Sequence, residues 1–154
     1  MRCVVLDAMG AIFSANEFWI AVGVQPTVED EYLSKHSLVP GVRECLRTAK
    51  DKSIPVWCLS NDVDRWSRKL RTSLEIDGFL SGAVISSEVK SRKPSPAIYQ
   101  CFLDRSGYRA RDIVFVDDRE KNVEAALAMG IRSVTLSPGT GYSLLARQVF
   151  GNAL

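Results

Sequence analysis

At 154 residues, with 46% hydrophobic and 25% charged side chains, the chain is long enough for one domain with a real core and too short for two. Its net charge of +2 lies too near neutral to mark a nucleic-acid or membrane-surface partner. No apolar run reaches the length needed to cross a bilayer, and the stretch Cys3-Val4-Val5-Leu6 is too short for a signal peptide and reads as a core strand.

Strand-like runs recur at Cys3–Leu6, Pro55–Leu59, Ala83–Ile85, Ile113–Val116 and Ser133–Leu136. They are short, rich in Val and Ile, and lack strict alternation, as parallel strands buried on both faces do. Helical patterns lie between them. Val42, Cys45, Leu46 and Ala49 follow i, i+3, i+4, i+7 spacing after Pro40-Gly41. Arg65, Arg68, Lys69 and Arg71 read as a solvated basic helix face. Ile98, Cys101 and Phe102 follow Ser95-Pro96, an N-cap with proline at the first helical position. Val123, Ala126 and Leu127 mark a further helix ending near Met129-Gly130, where glycine can take the left-handed cap conformation. Strands alternating with helices predict an α/β fold: a three-layer, doubly wound parallel sheet of about five strands, forming one domain over 1–154.

The cysteines, Cys3, Cys45, Cys58 and Cys101, form no C-x-x-C pair and fall in apolar strands or on helix faces. They read as reduced core thiols, which implies a cytoplasmic setting. His36 sits in a polar stretch beside Lys35 and is assigned no catalytic role.

Chemistry concentrates at two acidic strand ends. Asp7 closes the first apolar run and opens the turn Ala8-Met9-Gly10; Asp117-Asp118 closes Ile113–Val116. Carboxylates at the C-terminal ends of parallel strands lie where an open α/β sheet places its site. Two such ends suit Mg²⁺, a hard cation that takes one or two carboxylates and keeps other positions for water and phosphate. Between them lie Val56-Trp57-Cys58-Leu59-Ser60-Asn61 and Glu88-Val89-Lys90-Ser91-Arg92-Lys93-Pro94.

With these four motifs in this order, the chain resembles the haloacid dehalogenase (HAD) superfamily from Arg2 to about Leu136. Leu59-Ser60-Asn61-Asp62, Lys93-Pro94-Ser95-Pro96 and Val116-Asp117-Asp118 resemble its phosphatase-like branch in particular. The resemblance implies Asp7 as a nucleophile that forms an aspartyl-phosphate and also touches Mg²⁺. It implies Ser60, with Asn61, as phosphoryl-binding or orienting groups, and Lys93 as the cation that neutralises Asp7 and the transferring phosphoryl group. Asp118 becomes the principal metal ligand, Asp117 a second or water-mediated one, the Met9 backbone carbonyl a further ligand, and Asn122 a support.

One position departs from the pattern. Family phosphatases carry a second Asp two residues after the nucleophile, where this chain has Met9. A thioether can neither protonate a leaving group nor activate water, help typically worth roughly 10²–10⁴-fold. The implied activity is therefore a slow Mg²⁺-dependent phosphohydrolase acting on a small phosphorylated substrate or a phosphoprotein. A non-catalytic phosphate- or partner-binding module is the alternative. A 2-haloacid dehalogenase-like hydrolase shares the non-acidic second position but lacks the acidic pair kept here, and a phosphonatase would need a cap lysine, for which Lys35 is the one candidate. The insert at 14–37, with Phe18, Trp19, Ile20 and Val22 ahead of Glu29-Asp30-Glu31, replaces a cap. It is expected to form a hairpin or short helices over the site, with an apolar surface that favours a homodimer.

Overall fold

Residues 3–15, 33–137 and Tyr142 are described in the computed structural model. In chain order the elements are β1 (Cys3–Leu6), β2 (Phe13–Ala15), β3 (His36–Leu38), α1 (Val42–Asp51), β4 (Val56–Ser60), α2 (Asp64–Ser73), β5 (Gly82–Ile85), α3 (Ser86–Val89), α4 (Pro96–Ser106), β6 (Ile113–Asp117), α5 (Glu120–Ala128) and β7 (Arg132–Thr135). Five strands form one parallel sheet in the order β5-β4-β1-β6-β7. The chain winds outward from β1 through β4 to β5, then returns to place β6 on the other side of β1. That reversal makes the C-terminal ends of β1 and β6 a switch point, where the two flanking connections diverge and leave a crevice.

Two apolar layers cover the sheet, and strand parity sorts them. Val4, Leu6, Val56, Cys58, Val114 and Val116 face α1 and α2, packing on Val42, Cys45, Leu46, Ala49 and Leu70. Cys3, Val5, Leu59, Ile113 and Phe115 face α4 and α5, packing on Ile98, Tyr99, Phe102 and Ala126. Both faces of the central strands are thus buried, which is why their sequences run apolar without alternation. Full burial of each Leu, Val or Phe in these layers contributes roughly 1.5–3 kcal/mol. The α4 start is as expected: the Ser95 side chain accepts from the Ala97 amide and Pro96 occupies the first turn. Gly130 ends the α5 connection at φ +79°.

Ser60 closes β4 as expected, and Asp117 is the last residue of β6, one position beyond the apolar run. Several sequence expectations are corrected. Leu127 is exposed, and α5 instead turns Asn122, Val123 and Ala126 inward. Arg71 is not on the solvated face with Arg65, Arg68 and Lys69. It is buried, donating from Nε to Asp77 Oδ1 at 2.8 Å and from a terminal nitrogen to Ser67 Oγ at 2.6 Å. Cys3, Cys45 and Cys58 are buried free thiols, while Cys101 is half-buried. Burial pushes each of the three up to about 12.

In the 14–37 insert, β2 and β3 pair antiparallel, Phe13 opposite Leu38 and Ala15 opposite His36. Phe18, Trp19, Ile20, Val22 and Glu29-Asp30-Glu31 lie outside the described residues, and the expected homodimer rested on the first two. No described helix is long and apolar enough to cross a membrane.

Candidate active site

The register of the parallel sheet assembles the site. Leu6 pairs with Val116, so the next residues, Asp7 and Asp117, leave adjacent strands at one level. Both continue the odd-numbered series that faces α4 and α5. The segment leading into α4 passes over that face, and Lys93 on it drops its ammonium between the two carboxylates. Lys93 Nζ donates to Asp7 Oδ1 at 2.6 Å, to Asp117 Oδ2 at 2.6 Å and to the Leu59 carbonyl at 2.7 Å. An ammonium has three protons, and these three acceptors use them all. The Lys93 side chain is 1% exposed and that of Asp117 is fully buried.

Asp118 has the opposite parity and a different environment. It is half-buried on the side of the turn that leaves β1, beside Gly10. Gly10 has φ +91°, and a Cβ there would collide with the Asp118 carboxylate. Only glycine satisfies both the backbone angle and the close approach. Asp118 Oδ1 is buried and has no hydrogen-bond partner. One carboxylate oxygen each from Asp7, Asp117 and Asp118 lie within 4.8 Å of one another.

Supporting residues fix the frame. Asn61 Nδ2 donates to the Lys93 carbonyl at 2.9 Å, and the Lys93 amide donates to Asn61 Oδ1 at 2.7 Å. This reciprocal pair mimics a strand bridge and holds the Lys93 backbone to the end of β4. The side chain expected to touch substrate is thus engaged in placing the lysine, although Asn61 also lines the cavity. Asn122 Nδ2 donates to both oxygens of Asp117 at 3.0 Å, and the Arg119 amide donates to Asp117 Oδ1 at 2.9 Å. Tyr99, which the sequence reading does not single out, donates through its hydroxyl to the Asn122 carbonyl at 2.8 Å. A tyrosine one position from Ile98 on an apolar helix face carries no signal for that role.

Electrostatics follow from burial. Desolvation raises the Asp7 carboxyl from its ordinary 3.8 to about 7; the Lys93 ammonium opposes this, while Asp117 and Asp118 add to it. Asp118 is also raised, first by burial and then by Asp117, with Arg119 opposing. Three carboxylates, when ionised, exceed the one ammonium among them by two negative charges, with Arg92 and Arg119 also in the cavity lining. That excess, the oxygen-only donor set and the unpartnered Asp118 Oδ1 fit a divalent hard cation. Asp7, Asp117 and Asp118 are the residues that would hold it, and Met9 lines the same cavity.

The cavity itself measures about 90 Å³ and is lined by Asp7, Met9, Asn61, Arg92, Lys93, Arg119 and Asn122. Sites for drug-sized ligands run to roughly 300–1,000 Å³, so this one takes a reacting head group and leaves the rest of a substrate outside. Ser60 does not line it, yet its Oγ is buried without a partner. Among the described residues the buried unpartnered polar atoms are Trp57 Nε1, Ser60 Oγ, Asp118 Oδ1 and Asn122 Oδ1, and the last three belong to the residues at this edge. Buried polar groups are rarely left unpaired unless a ligand completes them.

The sequence profile of the haloacid dehalogenase-like hydrolases matches residues 7–130, the span from Asp7 through α5. The chain belongs to that family. Among curated HAD relatives, a phosphoglycolate phosphatase of Pseudomonas putida is 27% identical over 113 residues, covering 71% of this chain and 42% of the relative. A phosphorylated carbohydrates phosphatase of Thermotoga maritima is 30% identical over 95 residues, covering 62% of this chain and 44% of the relative. The chain thus spans less than half the length of these two relatives. A HAD-family enzyme of Bacteroides thetaiotaomicron, solved with magnesium and inorganic phosphate, superposes with TM-score 0.76 at 18% identity over 94% of this chain and 98% of that one. A HAD-superfamily hydrolase of Ehrlichia chaffeensis superposes with TM-score 0.75 at 16% identity over 97% of both chains. These likenesses establish the HAD core fold.

Proposed function

We propose that this protein is a Mg²⁺-dependent phosphohydrolase of small phosphate esters, working through an aspartyl-phosphate on Asp7. The observation that carries the reading is the triangle of Asp7, Asp117 and Asp118 around a saturated Lys93, with a third carboxylate oxygen left open. The phosphatase relatives and the magnesium–phosphate complex of a structural neighbour support it.

When bound, the cation would supply charge neutralisation to the carboxylates and the phosphoryl oxygens. The chain's own residues do the rest. An Asp7 carboxylate oxygen attacks phosphorus, a P–O bond to Asp7 forms, and the ester P–O bond breaks with its electrons on the leaving oxygen. Water then attacks the phosphorus, the Asp7–phosphorus bond breaks, and inorganic phosphate and the free carboxylate result. Lys93 holds Asp7 at fixed geometry and offsets charge at the moment of transfer. Ser60 Oγ, buried without a partner at the end of β4, is the further hydroxyl at this sheet edge.

Met9 sets the limit. It carries no proton for the leaving oxygen and cannot activate the second water, so substrates with good leaving groups react best. Phenyl phosphate is expected to turn over with Mg²⁺ while an alkyl phosphate is slow. Asp7→Asn is expected to reduce phenyl phosphate hydrolysis by at least about 10³-fold. Met9→Asp is expected to raise the alkyl rate by roughly 10²-fold or more, with little change for the aryl ester. Equal rates in wild type and Asp7→Asn would replace this reading with a non-catalytic phosphate-binding module.

A further inference from the structure

We propose that Arg92 and Arg119 form a two-guanidinium clamp that selects substrates carrying a second anionic group, a carboxylate or a phosphate, next to the phosphate ester. This rests on the phosphohydrolase reading and assigns the specificity of that site to the HAD core itself. Both arginines are exposed and both line the 90 Å³ cavity beside Asp7 and Lys93. Neither guanidinium is hydrogen-bonded or ion-paired within the described residues, whereas Arg68, Arg71 and Arg105 each hold a carboxylate. Their backbones are anchored all the same. Arg92 precedes Lys93, whose amide and carbonyl are clasped by Asn61. Arg119 donates its own amide to Asp117 and opens α5. Two anchored backbones thus carry two arginines in the lining of one cavity, and the charge of Arg119 already acts on the Asp118 carboxyl.

The inner charge cannot do this work. Lys93 has given all three protons to Asp7, Asp117 and the Leu59 carbonyl, so it has none left for a distal group. The cavity is small enough to be filled by the phosphoryl group, and the two exposed arginines of its lining are within side-chain reach of what protrudes. Arginine is the side chain suited to bidentate capture of a carboxylate or phosphate. A neutral protruding group would leave both forks without a complementary partner.

The test compares phosphonoacetate with ethylphosphonate, two non-hydrolysable probes of similar size of which only the first bears a carboxylate. Binding is measured by calorimetry with Mg²⁺ present. Wild type is expected to bind phosphonoacetate at least about tenfold more tightly. In the Arg92→Gln, Arg119→Gln double variant that preference is expected to fall below about threefold, through weaker phosphonoacetate binding alone. Equal affinity for the two probes in wild type, or a preference that survives both substitutions, overturns the assignment. Phenyl phosphate hydrolysis abolished by Asp7→Asn tests the catalytic reading separately, and it can stand while the clamp falls.

Discussion

Lys93 and Arg71 are both buried cations with carboxylate partners, yet they stand in opposite kinds of surroundings. Arg71 meets one carboxylate, Asp77, and one hydroxyl, Ser67, and no polar atom of the three residues is both buried and unpartnered. Lys93 meets two carboxylates with a third close by, and unpartnered atoms of Ser60, Asp118 and Asn122 lie at the same sheet edge. A polar cluster that only holds a fold together is balanced and closed. One that binds is left in anionic excess and open, and the cost of that imbalance is recovered when its ligand arrives.

Breaking the two clusters should separate them. Lys93→Met leaves Asp7 and Asp117 facing each other without a cation, and the expected loss is about 3–5 kcal/mol of unfolding free energy in urea. Adding Mg²⁺ is expected to recover a large part of that loss, because the cation occupies the same carboxylates; no recovery would remove Asp7 and Asp117 from the metal site. The next effect in size is in the unmutated protein. Asp7 is raised by burial from 3.8 to about 7, so the folded state holds its proton more tightly than the unfolded one. The metal-free protein therefore loses stability as pH rises from about 4 to about 7, since the folded state binds more protons across that window. Mg²⁺ held by these carboxylates would compete with those protons, and at a hundredfold excess over its Kd would add about 2.7 kcal/mol. The melting-temperature gain from Mg²⁺ should be clearly larger at about pH 8 than at about pH 5; an equal gain at both would argue against carboxylate ligation. The smallest effect belongs to Arg71→Met. Asp77 is 45% exposed and is rehydrated when its partner goes, so roughly 1 kcal/mol is expected, the same with and without Mg²⁺. A Mg²⁺-dependent loss there would erase the distinction.

Much of the sheet was legible because its signal is local. The short, Val-rich apolar runs at Cys3–Leu6 and Ile113–Val116 read as buried strands and are strands, and the four positions of α1, Val42, Cys45, Leu46 and Ala49, all turn inward as their spacing predicts. The candidate site residues Asp7, Asp117, Asp118 and Lys93 do come together in space. What stayed hidden is what depends on distant partners. Arg71 reads as one more surface cation because it borders the apolar stripe Trp66, Leu70 and Leu74 instead of belonging to it, and its burial depends on Ser67 and the distant Asp77. Asn61 and Lys93 clasp each other across 32 residues of chain, and nothing at either position announces it. The different surroundings of Asp117 and Asp118 follow from strand parity, which becomes visible once β6 is known to include Asp117.

The placement of β1 has a consequence in time. Its residues are among the earliest in the chain, yet its right-hand neighbour comes far later, Cys3 waiting for Ile113 and Leu6 for Val116. Until β6 docks, Asp7 stands at the edge of an unfinished sheet without the two other carboxylates of its cluster. Such sequence-distant pairings close slowly, so as a ribosome extends the chain Asp7 meets Asp117 and Asp118 only when the second half of the sheet arrives. Nascent chains halted before β6 would hold every residue of the first three motifs and still bind no metal.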